Sequence, residues 1–403
     1  MTDRPSLARR VLPAPSSRGR GRAHRVFHPL VGADLRTLCG ALSRNGVAPR
    51  RAHVAAVTLS MAVLRLPFTA AEGAAMRWLL RRERSLPAPV FIIGHWRSGT
   101  THLANVLSRS DAFGILPPIS VGLPWEALGL ARLVAPFIEQ FFPRNRLIDD
   151  VALASDLPQE DELALANMTP LSFYHGVYFP REIEANFDRG LFFDHCSEGE
   201  VAAWARALRL YVAKMTLHQG GRPLLIRNPA HSARIPVLRA LWPGAKFIHI
   251  HRNPYLVHAS SRRMFATLLR ELALQGANVD MDELVLRTYP RLMGRLLDSA
   301  ASLPAGSFAE VRYESFQRSP LSELERVHRE LDLPGFTEAR EGFARYLAST
   351  RGYRGAAHRL RAADLDRVRD RWAPFLERWD YGVPREGEVS CSGPLAPTRD
   401  RTL

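Results

Sequence analysis

The sequence predicts an α/β fold: a parallel β-sheet flanked by helices, with a helical cap at its N-terminus. Three observations point there. Short apolar runs that read as buried strands alternate with segments of helical period, the pattern of a parallel sheet covered on both faces. The first such run, Val90–Gly94, leads directly into a polar turn bracketed by glycines and then into a helix. Ahead of it the pattern is helical only. With 403 residues the chain can bury one full α/β core and carry one appended subdomain.

Residues 1–27 read as a disordered basic tail. Seven arginines fall in the first 25 positions among Pro, Ser and Gly, without the apolar core of a signal peptide. Residues 28–88 form the helical cap or a membrane-facing subdomain. Amphipathic helices are predicted over Ala33–Leu42 and Arg51–Leu66, and Pro67 opens a further segment to Arg84. The uncharged stretch Val54–Leu64 is too short to span a bilayer, so no membrane-spanning helix is expected. Two readings of this region stay open: a cap packed on the core, or an interfacial platform whose arginines meet lipid phosphates.

Residues 89–383 form the main domain. A helix over Thr100–Arg109 follows the first strand. The insertion 115–196, rich in Pro, Trp and Phe, is assigned to a binding pocket because it carries more aromatic residues than loops need. A helix near Glu198–Gln219, a strand Pro223–Ile226 and a helix Ser232–Leu241 come next. The strand Lys246–His251 precedes helices over Pro254–Gln275 and Met281–Leu303. The strand Ser307–Tyr313 and helices near Pro320–Leu331, Thr337–Leu347 and Ala363–Arg378 complete the domain. Residues 384–403 read as a flexible tail.

The net charge of +15 invites a polyanion-binding reading. Only Lys214 and Lys246 are lysines, so 53 of the 55 basic residues are arginine, which looks more like the coding bias of a GC-rich genome. No recognisable nucleic-acid module is present, so no nucleic-acid partner is expected. Cys39, Cys196 and Cys391 are few and scattered. They argue against a disulfide framework or a zinc site and fit a reducing, cytoplasmic compartment.

Gly94 and Gly99 have the G-x-x-x-x-G spacing of a P-loop, which turns backbone N–H groups and a helix N-terminus toward one anion. A nucleoside-triphosphate P-loop needs Lys next, and Thr100 stands there instead. The cation has moved into the loop as Arg97. Such a loop can hold a phosphate but is poorly built for splitting ATP or GTP. A second segment, Lys246-Phe247-Ile248-His249-Ile250-His251-Arg252-Asn253-Pro254, reads as a strand ending in Arg-Asn-Pro, with Ser260 in the following helix. His249 and His251 alternate on one strand face without a third ligand, so packing explains them better than metal.

Together these segments resemble the sulfotransferases, of bacterial type, that use 3′-phosphoadenosine 5′-phosphosulfate (PAPS). A third match is the corner Val311-Arg312-Tyr313-Glu314-Ser315-Phe316, and the resemblance spans about Pro89 to Tyr381. It implies a P-loop NTPase-like parallel sheet flanked by helices, with residues 89–383 as the sulfotransferase domain and 115–196 as its acceptor-pocket insertion. It implies that Arg97, Ser98, Gly99, Thr100 and Thr101 bind the 5′-phosphosulfate and that Arg252 and Ser260 bind the 3′-phosphate. It also places Arg354, in Arg351-Gly352-Tyr353-Arg354, near a late basic loop that touches the same nucleotide.

Sulfuryl transfer needs the donor held, an acceptor hydroxyl in line, a base, and stabilisation of charge on the departing phosphate. Divalent metal is not obligatory, and none is expected. Arg97 and Arg227 are the candidate charge stabilisers. For the base, three residues stay open. His231 lies four residues after Arg227, while Glu160 and Glu162 lie in Asp156-Leu157-Pro158-Gln159-Glu160-Asp161-Glu162, a block that recurs in bacterial members of the family. Asp156 with Gln159 three residues later also reads as a helix N-cap. The expected reaction moves the sulfuryl group to a hydroxyl of a lipophilic alcohol or phenol. A carbohydrate acceptor, a P-loop kinase and a non-catalytic polyanion binder are the alternatives. Expected partners are a small-molecule or lipid acceptor and, on the platform reading, a peripheral contact at the inner membrane face. Oligomeric state is not legible.

Overall fold

Four strands carry the core: β1 (Val90–Ile93), β2 (Leu225–Arg227), β3 (Lys246–His251) and β4 (Phe308–Arg312). All pair in parallel, in the order β2-β1-β3-β4. Ile92 sits opposite Arg227 on one side and Ile248 on the other, and Ile250 opposite Val311. Every residue of β1 is buried, which is why the strand reads as an unbroken apolar run. Phe91, Ile93 and Phe247 face one layer of helices, including Pro254–Leu272 and Met281–Ala301. Val90, Ile92, Ile248 and Ile250 face the other, with helix α3 (Thr100–Leu107) and helices Pro320–Leu331 and Phe336–Ser349. The computed structural model describes residues 28–82, 86–138, 148, 156–351, 357–384 and 387–390.

After β1 the chain crosses to β2 on one side, and β3 then returns to pair on the other. The carboxyl ends of these strands therefore open onto a topological switch point, where open α/β sheets bind ligands. Gly94, Asn228 and Arg252 each come directly after one of the three strand ends.

The N-terminal region departs from expectation. Helix α1 (Leu35–Asn45) appears where a helix is predicted, but Pro67 does not divide the next one. Helix α2 runs unbroken from Ala52 to Arg82 with Pro67 inside it. A proline within a helix costs roughly 3 kcal/mol, and buried ion pairs hold α2 on either side of this one. Arg65 donates to Glu126 at 2.6 Å and to the Ala33 carbonyl. Glu72 pairs with Lys214 at 3.0 Å and accepts from the N–H groups of Leu128 and Gly129. Burial lowers the Lys214 pKa from its ordinary value, opposed by the carboxylates of Glu72 and Glu126. Because Pro67 does not break it, the helical segment Pro49–Arg81 is long and apolar enough to cross a membrane by length and composition alone, where the sequence reading counted only the short stretch Val54–Leu64. Its anchored face lies against Pro29–Gly32, α1 and Pro124–Glu126.

A second departure is a small antiparallel pair. Strand β5 (Ala357–Leu360) pairs with β6 (Gly387–Ser390), so a piece of the expected loose tail is ordered by a partner remote in sequence.

Candidate active site

The turn after β1 is shaped by two tight approaches. Gly94 has φ 140°, and a Cβ there would lie 2.3 Å from the Ile250 carbonyl oxygen. Gly99 has φ 107°, and a Cβ there would lie 2.4 Å from the Tyr313 ring. Between them Arg97 holds φ 70°, a region that costs a non-glycine residue strain. The Ser232 hydroxyl bonds both N–H and C=O of Gly94 and pins the start of the turn. Helix α3 then begins at Thr100 with no side-chain cap. Ser98 Oγ is buried without a hydrogen-bond partner, an orphaned polar atom within the turn. A turn of this kind, ending on an uncapped helix N-terminus, fits a phosphate or sulfate group.

Arg252, at the end of β3, lies 4.4 Å over the Tyr313 ring. Asn253 caps the helix Pro254–Leu272 through the Tyr255 N–H, and its own N–H donates to Glu314. The other oxygen of Glu314 accepts from the Tyr381 hydroxyl. The Arg-Asn-Pro and Arg-Tyr-Glu segments are therefore one hydrogen-bonded unit. Arg97 Nε donates to the Ser260 hydroxyl at 2.8 Å, joining the first turn to the second.

Arg227, buried at the end of β2, donates to Glu160 at 2.7 Å, to Thr101 Oγ1 at 3.1 Å and to the Pro158 carbonyl. Glu160, Arg97, Thr100 and Thr101 line a cavity of about 30 Å³ whose remaining wall includes Trp96, Phe173, Tyr174, Met264 and Leu268. A larger open cleft of about 690 Å³ is lined by residues 180–185, 188–189, 195 and 277–280. It contains none of the predicted site residues and lies apart from the chemistry.

A model of the sulfotransferase family matches residues 89–338 of this chain. The chain belongs to the sulfotransferase family. It is 30% identical over 294 residues to the omega-hydroxy-beta-dihydromenaquinone-9 sulfotransferase Stf3 of Mycobacterium bovis, covering 73% of this chain and 75% of that one. The same figures hold for the protein of that name from Mycobacterium tuberculosis. Two solved structures share the fold: sulfotransferase STF9 from Mycobacterium avium (TM-score 0.61, 16% identity, 88% of this chain and 98% of that one) and sulfotransferase STF1 from M. tuberculosis (TM-score 0.58, 16% identity, 77% and 85%).

In this sulfotransferase the three candidate bases separate. Only Glu160 lines the cavity. Glu162 is fully buried and accepts from Arg234 at 2.7 and 3.1 Å, from Asn228 at 2.9 Å and from Ser172 at 2.8 Å. Burial alone would raise its pKa, but the Arg234 charge and the hydrogen bonds from Arg234 and Asn228 bring it below the usual carboxylate range. The geometry favours an ion-pair anchor over a proton acceptor. His231 is equally buried. Nε2 bonds Asp161 Oδ2 at 2.8 Å, and Nδ1 faces Arg234 NH1 at 3.4 Å. Both ring nitrogens are engaged inside the protein, away from the cavity.

The helix expected to start at Asp156 starts instead at Glu162, and Asp156 pairs with Arg109. Asp161, Asn228 and Arg234, which build the buried network, escaped the sequence reading. The spacing of Arg234, three residues after His231, was the available signal. Arg354 lies outside the described residues. Among those residues no group of three or more His, Cys, Asp or Glu side chains is gathered as a metal would need.

Several buried histidines, His28 and His95 among them, set a pH dependence. His28 and His95 are held down to about 4, by burial first, against a hydrogen bond to a backbone carbonyl that raises each. Their folded pKa lies below the unfolded value of 6.5, so the unfolded chain takes the proton first. Stability is complete above pH 6.5 and is lost as pH falls toward 4, by up to about 1.4 kcal/mol per pH unit for each group. Urea unfolding at pH 7.5 and 5.5 should show a lower midpoint at 5.5. Equal midpoints would mean that these rings are hydrated in the fold.

Proposed function

We propose that this sulfotransferase moves the sulfuryl group from PAPS to the hydroxyl of a lipophilic alcohol or phenol in the cytoplasm. The observation that carries the reading is the 2.8 Å bond between Arg97 and Ser260, because it makes the anion turn and the Arg252 helix walls of a single bowl. The orphaned Ser98 hydroxyl and the uncapped start of α3 fit a donor's phosphosulfate there. When bound, the donor supplies a sulfuryl group joined to a 5′-phosphate oxygen, and that S–O bond breaks as the acceptor oxygen takes the sulfur.

The residues divide the work. Arg97, Ser98, Gly99, Thr100 and Thr101 hold the 5′ end and the charge that collects on the departing phosphate oxygen. Arg252 and Ser260 hold the 3′-phosphate. Glu160 takes the proton of the acceptor hydroxyl. Arg227 orients Glu160 and Thr101 from below, since it bonds both.

A lipophilic acceptor is favoured over a sugar. Phe173, Met264 and Leu268 share the cavity lining with Glu160, so an acceptor hydroxyl there would sit among apolar side chains. The similar Stf3 proteins are named for a menaquinone-derived acceptor, in keeping with this choice.

Calorimetry with 3′-phosphoadenosine 5′-phosphate tests the donor assignment. Arg252→Ala should lose about 1.5–3 kcal/mol of affinity, the range for a hydrogen bond to a charged group. Near wild-type affinity would remove Arg252 from the 3′-phosphate site. Incubation with labelled donor and a lipid extract, followed by mass spectrometry, should then show sulfated apolar products.

A further inference from the structure

Helix α2 turns its charges inward and much of its apolar surface outward. Its buried stripe contains Val54, Thr58, Ala62, Arg65, Glu72 and Met76, while Val57, Val63, Leu64, Leu66, Phe68 and Trp78 are exposed. Leu64 is 67% exposed and Phe68 47%. The usual surface helix keeps its charges outward and its large apolar residues inward. Here the rotation is fixed, because Arg65 and Glu72 are locked to Glu126 and Lys214. From Ala52 to Ala75 the outward side carries no Asp, Glu, Lys or Arg. Arginines bracket this uncharged stretch: Arg50 and Arg51 before it, Arg77 and Arg81 after it. Helix Leu130–Ile138 begins beside α2, where Glu72 receives the Gly129 N–H. It adds exposed Leu133 and Phe137.

We propose that the outward face of α2 docks the sulfotransferase on an anionic lipid bilayer, with the helix lying along the surface and its terminal arginines on lipid phosphates. An apolar helix face of this length, roughly 36 Å over Ala52–Ala75 at 1.5 Å per residue, is costly to leave in water. Charge complementarity selects the occupant. Two copies of α2 packed antiparallel would bring Arg50 and Arg51 of one against Arg77 and Arg81 of the other. Packed parallel, each arginine cluster would meet its own copy. Either arrangement opposes like charges, whereas anionic headgroups neutralise both ends at once while the middle of the helix enters the apolar boundary. The docking face does not rest on the donor or acceptor assignment, since α2 contributes none of the residues placed there.

Flotation of the full chain on density gradients tests the surface. Vesicles of phosphatidylcholine with phosphatidylglycerol are compared with phosphatidylcholine alone, at low and high salt. The wild-type protein should float with the anionic vesicles, and less at high salt. Leu64→Glu with Phe68→Glu should reduce the vesicle-bound fraction about tenfold or more, because each change places a charge in the outward face that would enter the bilayer. Arg77→Ser with Arg81→Ser, which leaves the apolar face intact, should weaken the preference for anionic lipid. Affinity for 3′-phosphoadenosine 5′-phosphate, measured on the same preparations, reports folding and donor binding separately from docking. A wild-type protein that stays at the bottom at low salt overturns the proposal. So does a Leu64/Phe68 variant that floats as well as wild type. A wild-type dimer that this variant splits, with no flotation in either form, would assign the face to a second copy instead.

Discussion

Glu160→Gln should keep donor-product affinity close to wild type and lose sulfuryl-transfer rate by roughly 10²–10⁴, the usual contribution of a positioned general base. The amide oxygen can still accept from Arg227, so the 2.7 Å contact and the orientation of Thr101 survive the change. What is lost is the capacity to take a proton. Single-turnover rates with saturating donor separate this from binding. Wild-type rates in Glu160→Gln would leave transfer without a carboxylate base, because Glu162 and His231 are closed off by their own partners.

Glu162→Ala should act on stability instead. Removing one member of a buried ion pair leaves the other uncompensated, at about 3–5 kcal/mol. Arg234 would then be stranded with its side chain fully buried between Phe193 and Trp204. Replacing both Glu162 and Arg234 by Met should recover much of that loss, since a well-packed apolar pair avoids the desolvation of two charges. Urea unfolding measures both. The Glu162 pKa is depressed in the fold, so its contribution is present above the unfolded value of 4.5 and is lost as pH falls through the folded one. A Glu162→Ala protein with wild-type stability and no activity would return Glu162 to the reaction.

The parts of the site that were legible are those whose backbone does the work. Gly94 and Gly99 announce a turn that only glycine can make, and Arg252-Asn253-Pro254 announces a strand end and then a capped helix. The choice among acids was not legible, for a geometric reason. Glu160 and Glu162 stand two positions apart where an extended segment becomes a helix, and residues two apart on a helix do not face the same way. One therefore lines the cavity while the other sinks toward Arg234. Pro67 misled in a similar manner. A local rule breaks helices at proline, but Arg65–Glu126 and Glu72–Lys214 are tertiary contacts that no window around Pro67 contains. The pairing of β5 with β6 escaped for the same reason, since each strand is short and its partner is remote.

The inward charges of α2 also bear on how the chain is made. Arg65 leaves the ribosome before Glu126, which lies 61 residues further on, and Lys214 emerges later still. At roughly 5–20 residues per second the helix waits several seconds or more for the partners that fix its rotation. The main sheet offers no earlier shelter, because each of its strands pairs in parallel with one distant in sequence and such pairings form late. During that interval α2 has only the short elements ahead of it, Pro29–Gly32 and α1, to pack against, and its two charges lack their side-chain partners. The nascent protein is then most exposed to chaperones, to a membrane surface and to other copies of itself. Variants that weaken the Arg65 or Glu72 anchors should show their effect first in soluble yield, before any change in the finished enzyme.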